Sequence, residues 1–449
     1  MAKYQAYAEY KDSGVEWLGE IPCHWDLKPI KYLFEIINGS TPKSGEEAFW
    51  DGEITWITPS DLSKLRSQVI GESIRTITKK GLDSCGTSLV PSDTIILSCR
   101  APIGSLAVTS KEACTNQGCK SLVKKYDLST KFFYYYLSIS TKQLNNLGRG
   151  TTFLELSSDE LGSYALGIPN AEEQTQIANF LDHETAKIDT LIAKQEKLIE
   201  LLKEKRQAVI SHAVTKGLNP NVKMKDSGVE WLGEVPEHWD IVQAKYIADI
   251  TRGAILRPVD APEYFDEEGE WAYLNISDAT KCDKYLDESK LRLSQLGSTK
   301  SARVYPNNLI ITASATIGKA FINRIKVCVH DGFIPFCNIK LDINYLYHYV
   351  SNPYLYAAMG KSNTQKNIYL DEVKNMMVTV PPRCEQVAIV KHIESSQFKY
   401  DGLIQSANSA IKLMQERRTA LISAAVTGKI DVRNWQAPSV TEADTELSA

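Results

Sequence analysis

The sequence of 449 residues contains no apolar run of the length, about 20 residues, that a membrane-spanning helix needs. Its first residues, MAKYQAYAEYKDSG, lack the apolar core of a signal peptide. The nine cysteines include no CxxC pair, and no histidine pair accompanies the closest two, Cys114 and Cys119, which disfavours a metal site there. We therefore expect a soluble, cytoplasmic protein with reduced thiols.

A basic excess is also missing. The chain has 51 Lys and Arg against 55 Asp and Glu, a formal net charge of −4. This balance excludes a protein that holds nucleic acid through its overall charge. If the chain binds DNA, its basic residues must be concentrated on one face, or a partner must supply much of the phosphate contact.

Motifs for catalysis are missing as well. The sequence has no GxGxxG, no GxxxxGK[ST] and no HExxH, and its seven histidines are scattered. It also lacks the Asn-Pro-Pro-aromatic or Asp-Pro-Pro-aromatic tetrapeptide with which amino-methyltransferases hold a target base. We therefore expect no active site, no metal and no cofactor in this chain.

The sequence does contain a stretch with a long helical pattern, from Glu172 to Gly217. It has no proline or internal glycine, and its apolar residues alternate at spacings of three and four. This pattern predicts a long helix packed along another helix, and roughly 40 residues at about 1.5 Å each give a length of about 60 Å. The predicted contact positions are Leu181, Ile188, Leu191, Leu198, Leu202 and Val209.

A second copy of this helix extends from Glu385 to about Lys429. Glu173-Gln174 aligns with Glu385-Gln386, and the two copies end on the similar sequences AVISHAVT and ALISAAVT. Two matched helices in one chain predict an intramolecular helix pair. Its predicted contact positions in the second copy are Ile393, Tyr400, Leu403, Met414 and Leu421.

A second repeat precedes each helix. The sequence KDSGVEWLGE occupies Lys11–Glu20 and recurs unchanged at Lys225–Glu234, and the motif His-Trp-Asp follows both copies. Such a repeat indicates duplication of a whole unit. Its turn residues and its tryptophan predict a strap that docks on the domain core, with a direct ligand site as the alternative.

The region between the first strap and the first helix has mixed α/β character. The pattern predicts strands at Ile54–Ile57, Thr94–Ser98, Leu106–Val108 and Ala165–Ile168, a helix over Leu128–Leu147 and a helical turn at Ser157–Leu161. The second half repeats this order with matched framework residues and divergent loops. Two copies of one scaffold with different loops are expected of modules that recognise different things.

These patterns predict an α+β fold with a pseudo-twofold internal repeat: two similar recognition domains joined by two long helices. We expect the first domain at 1–171, its helix at 172–217, the second domain at 218–383 and its helix at 384–430. The composition of 431–449 predicts a disordered C-terminal tail.

The whole set of motifs resembles the specificity subunit of type I DNA restriction-modification systems. The resemblance rests on SGVEWLGEIPCHW (Ser13–Trp25) and SGVEWLGEVPEHW (Ser227–Trp239), on IPNAEEQTQIANFLD and VPPRCEQVAIVKHI before the helices, and on the helix endings. It covers nearly the whole chain. One departure is Pro169-Asn170-Ala171, where the second copy has the more usual Pro381-Pro382.

The resemblance implies that each recognition domain contacts one half of a bipartite, asymmetric site in double-stranded DNA. It implies that the helices form an antiparallel coiled coil, which would place half-sites roughly 10 base pairs apart, centre to centre. It also implies two methyltransferase (modification) subunits as partners, with restriction subunits in the full complex. S-adenosylmethionine, ATP and magnesium are then expected on those partners.

Candidate DNA contacts are the polar residues of the predicted loops, since Arg, Lys, Asn, Gln, Ser and Thr form the contacts with bases and phosphates. A solvated turn is the alternative for each loop. The candidates are Thr41, Lys43, Ser44, Arg100, Arg149, Thr151 and Thr152 in the first half, and Arg252, Arg257, Ser314, Lys361, Asn363, Thr364, Gln365 and Lys366 in the second.

One rival interpretation is a non-enzymatic scaffold whose two α/β modules bind proteins, which the acidic balance would suit. The charged outer face of the helices is likewise either a solvated surface or a docking face for methyltransferase subunits. Salt-sensitive binding that depends on one bipartite DNA sequence would distinguish the DNA-binding interpretation from the scaffold.

Overall fold

The computed structural model describes residues 4–100, 102–149, 154–256, 261–314, 317–356 and 367–437. The chain divides into two compact units: Met1–Gln195 with Ser409–Ala449, and Glu196–Asn408. Each unit therefore contains one recognition domain together with part of each long helix. The mixed α/β class and the duplicated architecture expected from the sequence are confirmed.

The first recognition domain is built mainly from short strands. Its strands are β1 Tyr10–Asp12, β2 Glu20–Pro22, β3 Asp26–Pro29, β4 Phe34–Asn38, β5 Trp50–Ile57, β6 Val69–Ile70, β7 Thr76–Ile77, β8 Ile95–Ser98, β9 Leu106–Thr109, β10 Cys114–Thr115, β11 Cys119–Lys124 and β12 Ala165–Ile168. Its helices are α1 Ile30–Leu33, α2 Pro59–Lys64, α3 Lys79–Asp83, α4 Thr130–Ser138, α5 Thr141–Leu147 and α6 Ser158–Ser163, with a 3-10 turn at Glu47–Phe49.

A five-stranded sheet, in the order β4-β11-β8-β9-β6, forms the centre of this domain. A second sheet has the order β10-β5-β7, and two-stranded pairs join β1 to β2 and β12 to β3. One face of the central sheet packs on α4 through residues such as Leu97, Leu122 and Phe133, all fully buried. The opposite face packs on a smaller cluster that includes Ile57 and Ile96.

The single helix predicted over Leu128–Leu147 is wrong, because the segment forms two helices, α4 and α5. The hydroxyl of Ser140 is buried between them and donates to the carbonyl oxygen of Tyr136 at 2.9 Å. The backbone leaves regular helical geometry at Ile139 (φ −92°, ψ −8°) and Ser140 (φ −88°, ψ 3°), where the N–H of Ser140 donates to Leu137, only three residues back. The break lets Leu144 of α5 enter the core, where it is fully buried.

The second recognition domain repeats this plan. Its strands are β13 Met224–Asp226, β14 Glu234–Pro236, β15 Asp240–Gln243, β16 Asp249–Ile250, β17 Trp271–Tyr273, β18 Tyr285–Leu286, β19 Arg292–Leu293, β20 Ala302–Val304, β21 Asn308–Thr312, β22 Ala320–Asn323, β23 Val327–Val329, β24 Phe333–Cys337 and β25 Met377–Val380. Its helices, numbered after the long helix α7 (Ala171–Lys216), are α8 Ile276–Lys281, α9 Gln295–Thr299, α10 Ile343–Val350, α11 Pro353–Tyr356 and α12 Leu370–Asn375. Short 3-10 turns occur at Ala244–Tyr246 and Pro262–Tyr264.

The sheets of the second domain correspond to those of the first. The five-stranded sheet has the order β16-β24-β21-β22-β18, and the four-stranded sheet has the order β19-β17-β23-β20. The pairs β13 with β14 and β15 with β25 match β1 with β2 and β3 with β12. The internal repeat therefore extends to the strand order, although little sequence identity remains outside the straps and helices.

The second long helix, α13, spans Arg383–Val426. The start of α7 and the end of α13 lie in one core, where Ile177 and Leu181 pack in the same cluster as Ile422 and Val426. In the other unit the end of α7, at Val214, shares a core with the start of α13, at Ile393. The helix segments are thus antiparallel inside each unit, as the resemblance implied.

The predicted contact positions of these helices are partly wrong. Leu181, Ile188 and Ile393 are buried, and Leu202, Val209, Tyr400, Met414 and Leu421 are half-buried. Leu191, Leu198 and Leu403, by contrast, are 44%, 43% and 44% exposed. Their neighbours Ile192, Ile199 and Ile404 are half-buried instead. A leucine and an isoleucine stand side by side at each of these places, so the spacing rule fits both, and only the packing decides between them.

The first residues after α13 are packed, which corrects the expectation that disorder begins at residue 431. Val432 is 2% exposed, and the Trp435 ring lies 5.5 Å from the Phe180 ring. The backbone N–H of Asp431 donates to the carbonyl oxygen of Gln5 at 2.7 Å. Residues 431–437 therefore belong to the first unit.

Candidate nucleic-acid interface

Three loops leave the central sheet of the first domain at the same end. The loop after β4 begins at residue 39, the loop after β8 begins at Cys99, and the loop before β11 ends at Gly118. The pairing of Lys120 with Asn38 and of Cys119 with Ser98 fixes this arrangement. We call the described residues 38–44, 99–100, 102–105, 116–118, 148–149 and 154–158 the first loop surface.

The sequence-predicted residues Arg100 and Arg149 meet on this surface. The backbone of Arg149 exchanges hydrogen bonds of 3.0 and 2.9 Å with Glu155, whose carboxylate receives the Arg100 guanidinium at 3.1 Å. The Arg149 side chain is 86% exposed and forms an ion pair with Glu160. Both arginines lie on an exposed edge, so phosphate oxygens of DNA can replace the carboxylates of Glu155 and Glu160 as their partners.

The loop with Thr41, Lys43 and Ser44 is anchored beside them. The N–H of Ser40 donates to the carbonyl oxygen of Thr115 at 3.0 Å. The Thr41 hydroxyl bonds the side-chain oxygen of Gln117, and Lys43 and Ser44 are exposed. A fixed backbone with exposed polar side chains is suited to contact a groove.

Backbone contacts at the sheet end are repeated in the second unit. In the first unit the N–H of Cys99 donates to Gly118 and its carbonyl accepts from Leu156, at 2.8 and 2.9 Å. In the second unit Ala313 makes the same two bonds, with Gly332 and Ile368, at 2.7 and 3.0 Å. We call residues 252–256, 313–319 and 330–332 the second loop surface, within the described part of the chain.

A glycine opens the first loop of each surface because two backbones approach closely there. A Cβ atom on Gly39 would lie 2.1 Å from the carbonyl oxygen of Asn116, and one on Gly253 would lie 1.9 Å from that of His330. The side chains of Asn116 and His330 also have the same role, since each accepts the N–H of the glycine two residues later at 3.0 Å. The two surfaces share one frame.

The sequence-predicted residues of the second unit are only partly described. Arg252 is exposed, and its Nε donates to the carbonyl oxygen of Asp331 at 3.0 Å, while Ser314 is half-buried. Other predicted positions lie outside the described residues: Thr151, Thr152, Arg257, Lys361, Asn363, Thr364, Gln365 and Lys366.

The sequence interpretation missed Asn38 and Ser158 of the first loop surface, together with the buried Lys120 that bonds them. Lys120 is 6% exposed, and its ammonium donates to the amide oxygen of Asn38 at 2.8 Å and to the hydroxyl of Ser158 at 3.1 Å. The Ser158 hydroxyl donates to the same Asn38 oxygen at 2.8 Å. A signal existed, because Lys120 shares a strand face with the core residue Leu122, where a lysine is unexpected.

The straps dock on the domain cores, as predicted, and they also bond the first turn of each long helix. Trp25 is fully buried, and its indole N–H donates to Glu173 of α7 at 3.1 Å, while His24 contacts the other oxygen at 2.9 Å. In the second unit Trp239 and His238 bond Glu385 of α13 at 2.9 and 2.7 Å. The residue after each glutamate has its own role: the side-chain oxygen of Gln174 accepts the N–H of Ser129, at the start of α4. The repeated Glu-Gln pair is therefore structural.

The described residues offer no candidate metal centre. They contain no group of three or more His, Cys, Asp or Glu side chains that could hold a metal ion. Burial raises the pKa of the Cys114 thiol to about 12, and it also raises the pKa of Cys119, so neither forms a thiolate readily. No helix among the described residues has the length and apolarity needed to cross a membrane.

Comparison with known proteins identifies the family. A family model described as the type I restriction modification DNA specificity domain matches residues 22–201 and again residues 236–405. The chain belongs to this family. Each match covers most of one recognition domain and the adjoining part of one long helix.

Relatives agree with this assignment. The specificity subunit of the type I restriction enzyme MjaIX, from Methanocaldococcus jannaschii, is 34% identical over 206 residues, only 45% of this chain and 46% of that protein. The putative MjaX specificity subunit of the same organism is 24% identical over 93% of this chain and 96% of that one. A chain solved in a study of complex assembly in the type I R-M system has a TM-score of 0.69 at 14% identity, over 91% of this chain and 99% of that one, which shows a common fold.

The family membership decides between the functional alternatives left open by the sequence. The relatives are named as specificity subunits, which recognise DNA and are not the catalytic chains of the enzyme. The chain is thus a DNA specificity subunit of a type I restriction-modification system. The general protein-binding scaffold is not favoured.

Proposed function

We propose that this subunit recognises a bipartite, asymmetric DNA site and that each loop surface contacts one half of it. The observation that supports the proposal is the pair of loop surfaces themselves, which share backbone bonds but differ in their side chains. A shared frame with different contact residues produces two different half-sites. The domain limits of the sequence analysis, 1–171 and 218–383, are part of this proposal.

The proposal includes a way for an acidic chain to bind DNA. Arg100, Arg149 and Lys43 are concentrated on the first loop surface, and Arg252 is exposed on the second. DNA phosphates would replace Glu155 at Arg100 and Glu160 at Arg149, so contact depends on these local groups more than on the net charge of −4. The remaining phosphate contacts are assigned to partner subunits, which makes binding by the isolated chain weak and salt-sensitive.

We propose methyltransferase (modification) subunits as the partners of the long helices, with restriction subunits in the full complex. Apolar side chains that the fold leaves uncovered support a protein partner: on the helices of the second unit Phe398 is 85% exposed, Leu201 49% and Leu198 43%. S-adenosylmethionine, ATP and magnesium would bind to those partners, in the cytoplasm. The number of partner subunits, two of each, rests on the family alone.

The decisive experiment expresses this chain with its cognate methyltransferase subunit in a host and sequences the methylated bases of the genome. We expect one bipartite motif that is absent when this chain is omitted. An active, assembled complex that adds no new methylated motif would contradict the proposal and favour the protein scaffold.

A domain exchange supplies the matched control. Residues 225–383 are replaced by those of a relative, and the complementary exchange replaces the first domain. We expect each exchange to change one half of the methylated motif and to preserve the other half. If both halves change together, one loop surface alone does not determine one half-site.

A further inference from the structure

The first loop surface contains an exposed amide whose orientation is fixed from below. Asn38 ends β4 and is exposed to solvent, whereas Lys120, under it, is almost fully buried. Together with Ser158 they form a closed set of three hydrogen bonds, of 2.8, 2.8 and 3.1 Å. We call these residues the Asn38 triad.

The lysine determines which atom of the amide lies inside. An ammonium group can only donate hydrogen bonds, so the Asn38 atom that it contacts must be the oxygen. That oxygen accepts from both Lys120 and Ser158, which occupies its two lone pairs. The amide nitrogen, with its two N–H donors, is left for contacts outside the triad, and no described residue accepts from it.

We propose, on the basis of the proposed DNA-binding function, that Asn38 contacts a DNA base as a donor only and that Lys120 is the positioning residue that makes it so. An unrestrained asparagine pairs with adenine by accepting from N6 and donating to N7. The occupied oxygen of Asn38 cannot accept from adenine. Its two donors instead suit guanine, which presents the acceptors N7 and O6 in the major groove.

The second domain supports this assignment. Its equivalent of Asn38 is Arg252, the residue before the matched glycine, and a guanidinium also has donors alone. The residues equivalent to Lys120 and Ser158 there are Ile334 and Leu370, which cannot bond an amide. A donor thus stands at this place in both domains, and the buried lysine occurs in the domain where the exposed residue is an amide.

The test uses the complex of this chain with its methyltransferase subunit and duplexes that carry each base in turn at every position of the first half-site. Asn38→Asp retains the oxygens that accept from Lys120 and Ser158 but removes the N–H donors. The added negative charge weakens binding to every duplex alike, so we expect affinity for guanine at one position to fall roughly 5- to 150-fold beyond the loss seen with the other bases there. A loss that is equal for all four bases, or no loss, would overturn the proposal.

Lys120→Met tests the positioning role. Without the ammonium the amide can rotate and offer its oxygen, so we expect the preference for guanine over adenine at that position to relax. Lys120→Arg, which restores a donor, should recover it. Lys124→Met is the matched control, because Lys124 lies at the opposite end of β11 and pairs with Asp93 at 2.6 Å.

The outcomes separate this inference from the proposed function. No bipartite motif with the unmodified chain contradicts the proposed function. A normal motif with an unchanged base preference in both Asn38→Asp and Lys120→Met contradicts only the inference. If Lys120→Met does not fold, as its unfolding transition will reveal, Asn38→Asp decides, because it leaves the triad's acceptor oxygens in place.

Discussion

The two straps are chemically alike but differently enclosed. Their glycines have the same left-handed φ, 69° at both Gly14 and Gly228, and each tryptophan bonds a glutamate of a long helix. Yet the Glu173 side chain is 3% exposed and that of Glu385 is 39% exposed. The difference comes from Tyr7, whose hydroxyl donates to Glu173 at 2.6 Å and whose ring lies against Arg433.

The loop surfaces differ in the opposite sense. Their backbone bonds agree within a few tenths of an ångström, while Asn38, Lys120 and Ser158 are replaced by Arg252, Ile334 and Leu370. Duplication has thus preserved the bonds that join domain to helix and the backbone that shapes the loops. The side chains carried by this backbone have diverged between the two copies, as is expected of two modules that recognise different targets.

The largest expected effect is common to both repeats. Trp25→Ala and Trp239→Ala each remove a fully buried indole, so each should lower the free energy of unfolding by about 3–5 kcal/mol. Denaturant titration with hydrogen exchange resolved by unit measures it. Tyr32→Ala, at a ring that is 59% exposed, is the control. A cost below about 1 kcal/mol in either repeat would refute the equivalence of the straps.

The second-largest expected effect is a difference between the two units in how their stability depends on pH. Burial, with the nearby Lys284, lowers the pKa of His348 to about 4, and the first repeat has Tyr135 at the equivalent position. In the unfolded chain His348 takes up a proton near pH 6.5, whereas in the folded unit it stays neutral until about pH 4. The free energy of unfolding should therefore fall by about 2–3 kcal/mol as the pH drops from 6.5 towards 4.

Hydrogen exchange between pH 7 and pH 4 tests this difference. The second unit should lose protection first, and His348→Tyr should reduce the acid sensitivity, whereas His212→Gln, at an exposed histidine, should not. Equal acid sensitivity of the two units would show that His348 does not control it.

A smaller effect should distinguish the two glutamates. Glu173→Gln places an amide N–H₂ among buried donors and should cost about 1–3 kcal/mol, whereas Glu385→Gln should cost less than about 1 kcal/mol because water reaches it. Thermal unfolding of the paired variants measures the gap. Equal costs would mean that Tyr7 does not strengthen the first strap.

The smallest effect on stability concerns the long helices. Phe398, 85% exposed, aligns with the exposed Ala186 of the first helix. Phe398→Ala should change stability by less than about 0.5 kcal/mol, yet lower affinity for the methyltransferase subunit by roughly 10-fold. Ala186→Phe is the matched variant. Calorimetric titration of each variant with the methyltransferase subunit measures the affinity. An unchanged affinity for Phe398→Ala would show that this residue is not part of the proposed partner surface.

The repeats, helices and domain order were accessible from sequence because each depends on residue spacing or on local similarity. The register of the helix pair was not, since Leu191 with Ile192 and Leu198 with Ile199 satisfy the same spacing. The break at Ser140 has no proline or glycine beside it, so the helix signals in the sequence do not mark it.

The candidate site was predictable only in part, for a related reason. Arg100 and Arg149 can be predicted as candidates because they are basic residues in loops. In the structure both contact Glu155. The Asn38 triad joins residues from β4, β11 and α6 that are far apart in the chain. Its donor-only character depends on the three-dimensional contact of Lys120 with an amide oxygen, which no local pattern encodes.

The composition of the units has a consequence for synthesis on the ribosome. The second unit is continuous, Glu196–Asn408, whereas the first needs Ser409 and the residues after it, including the buried Ile422 and Val432. Since chains grow from the N-terminus at about 5–20 residues per second, we expect the first unit to complete its core only after the second unit has been made. Chains stalled near residue 410 should resist protease in the second unit and remain susceptible in the first, because the first unit still lacks Ser409 and the residues that follow it.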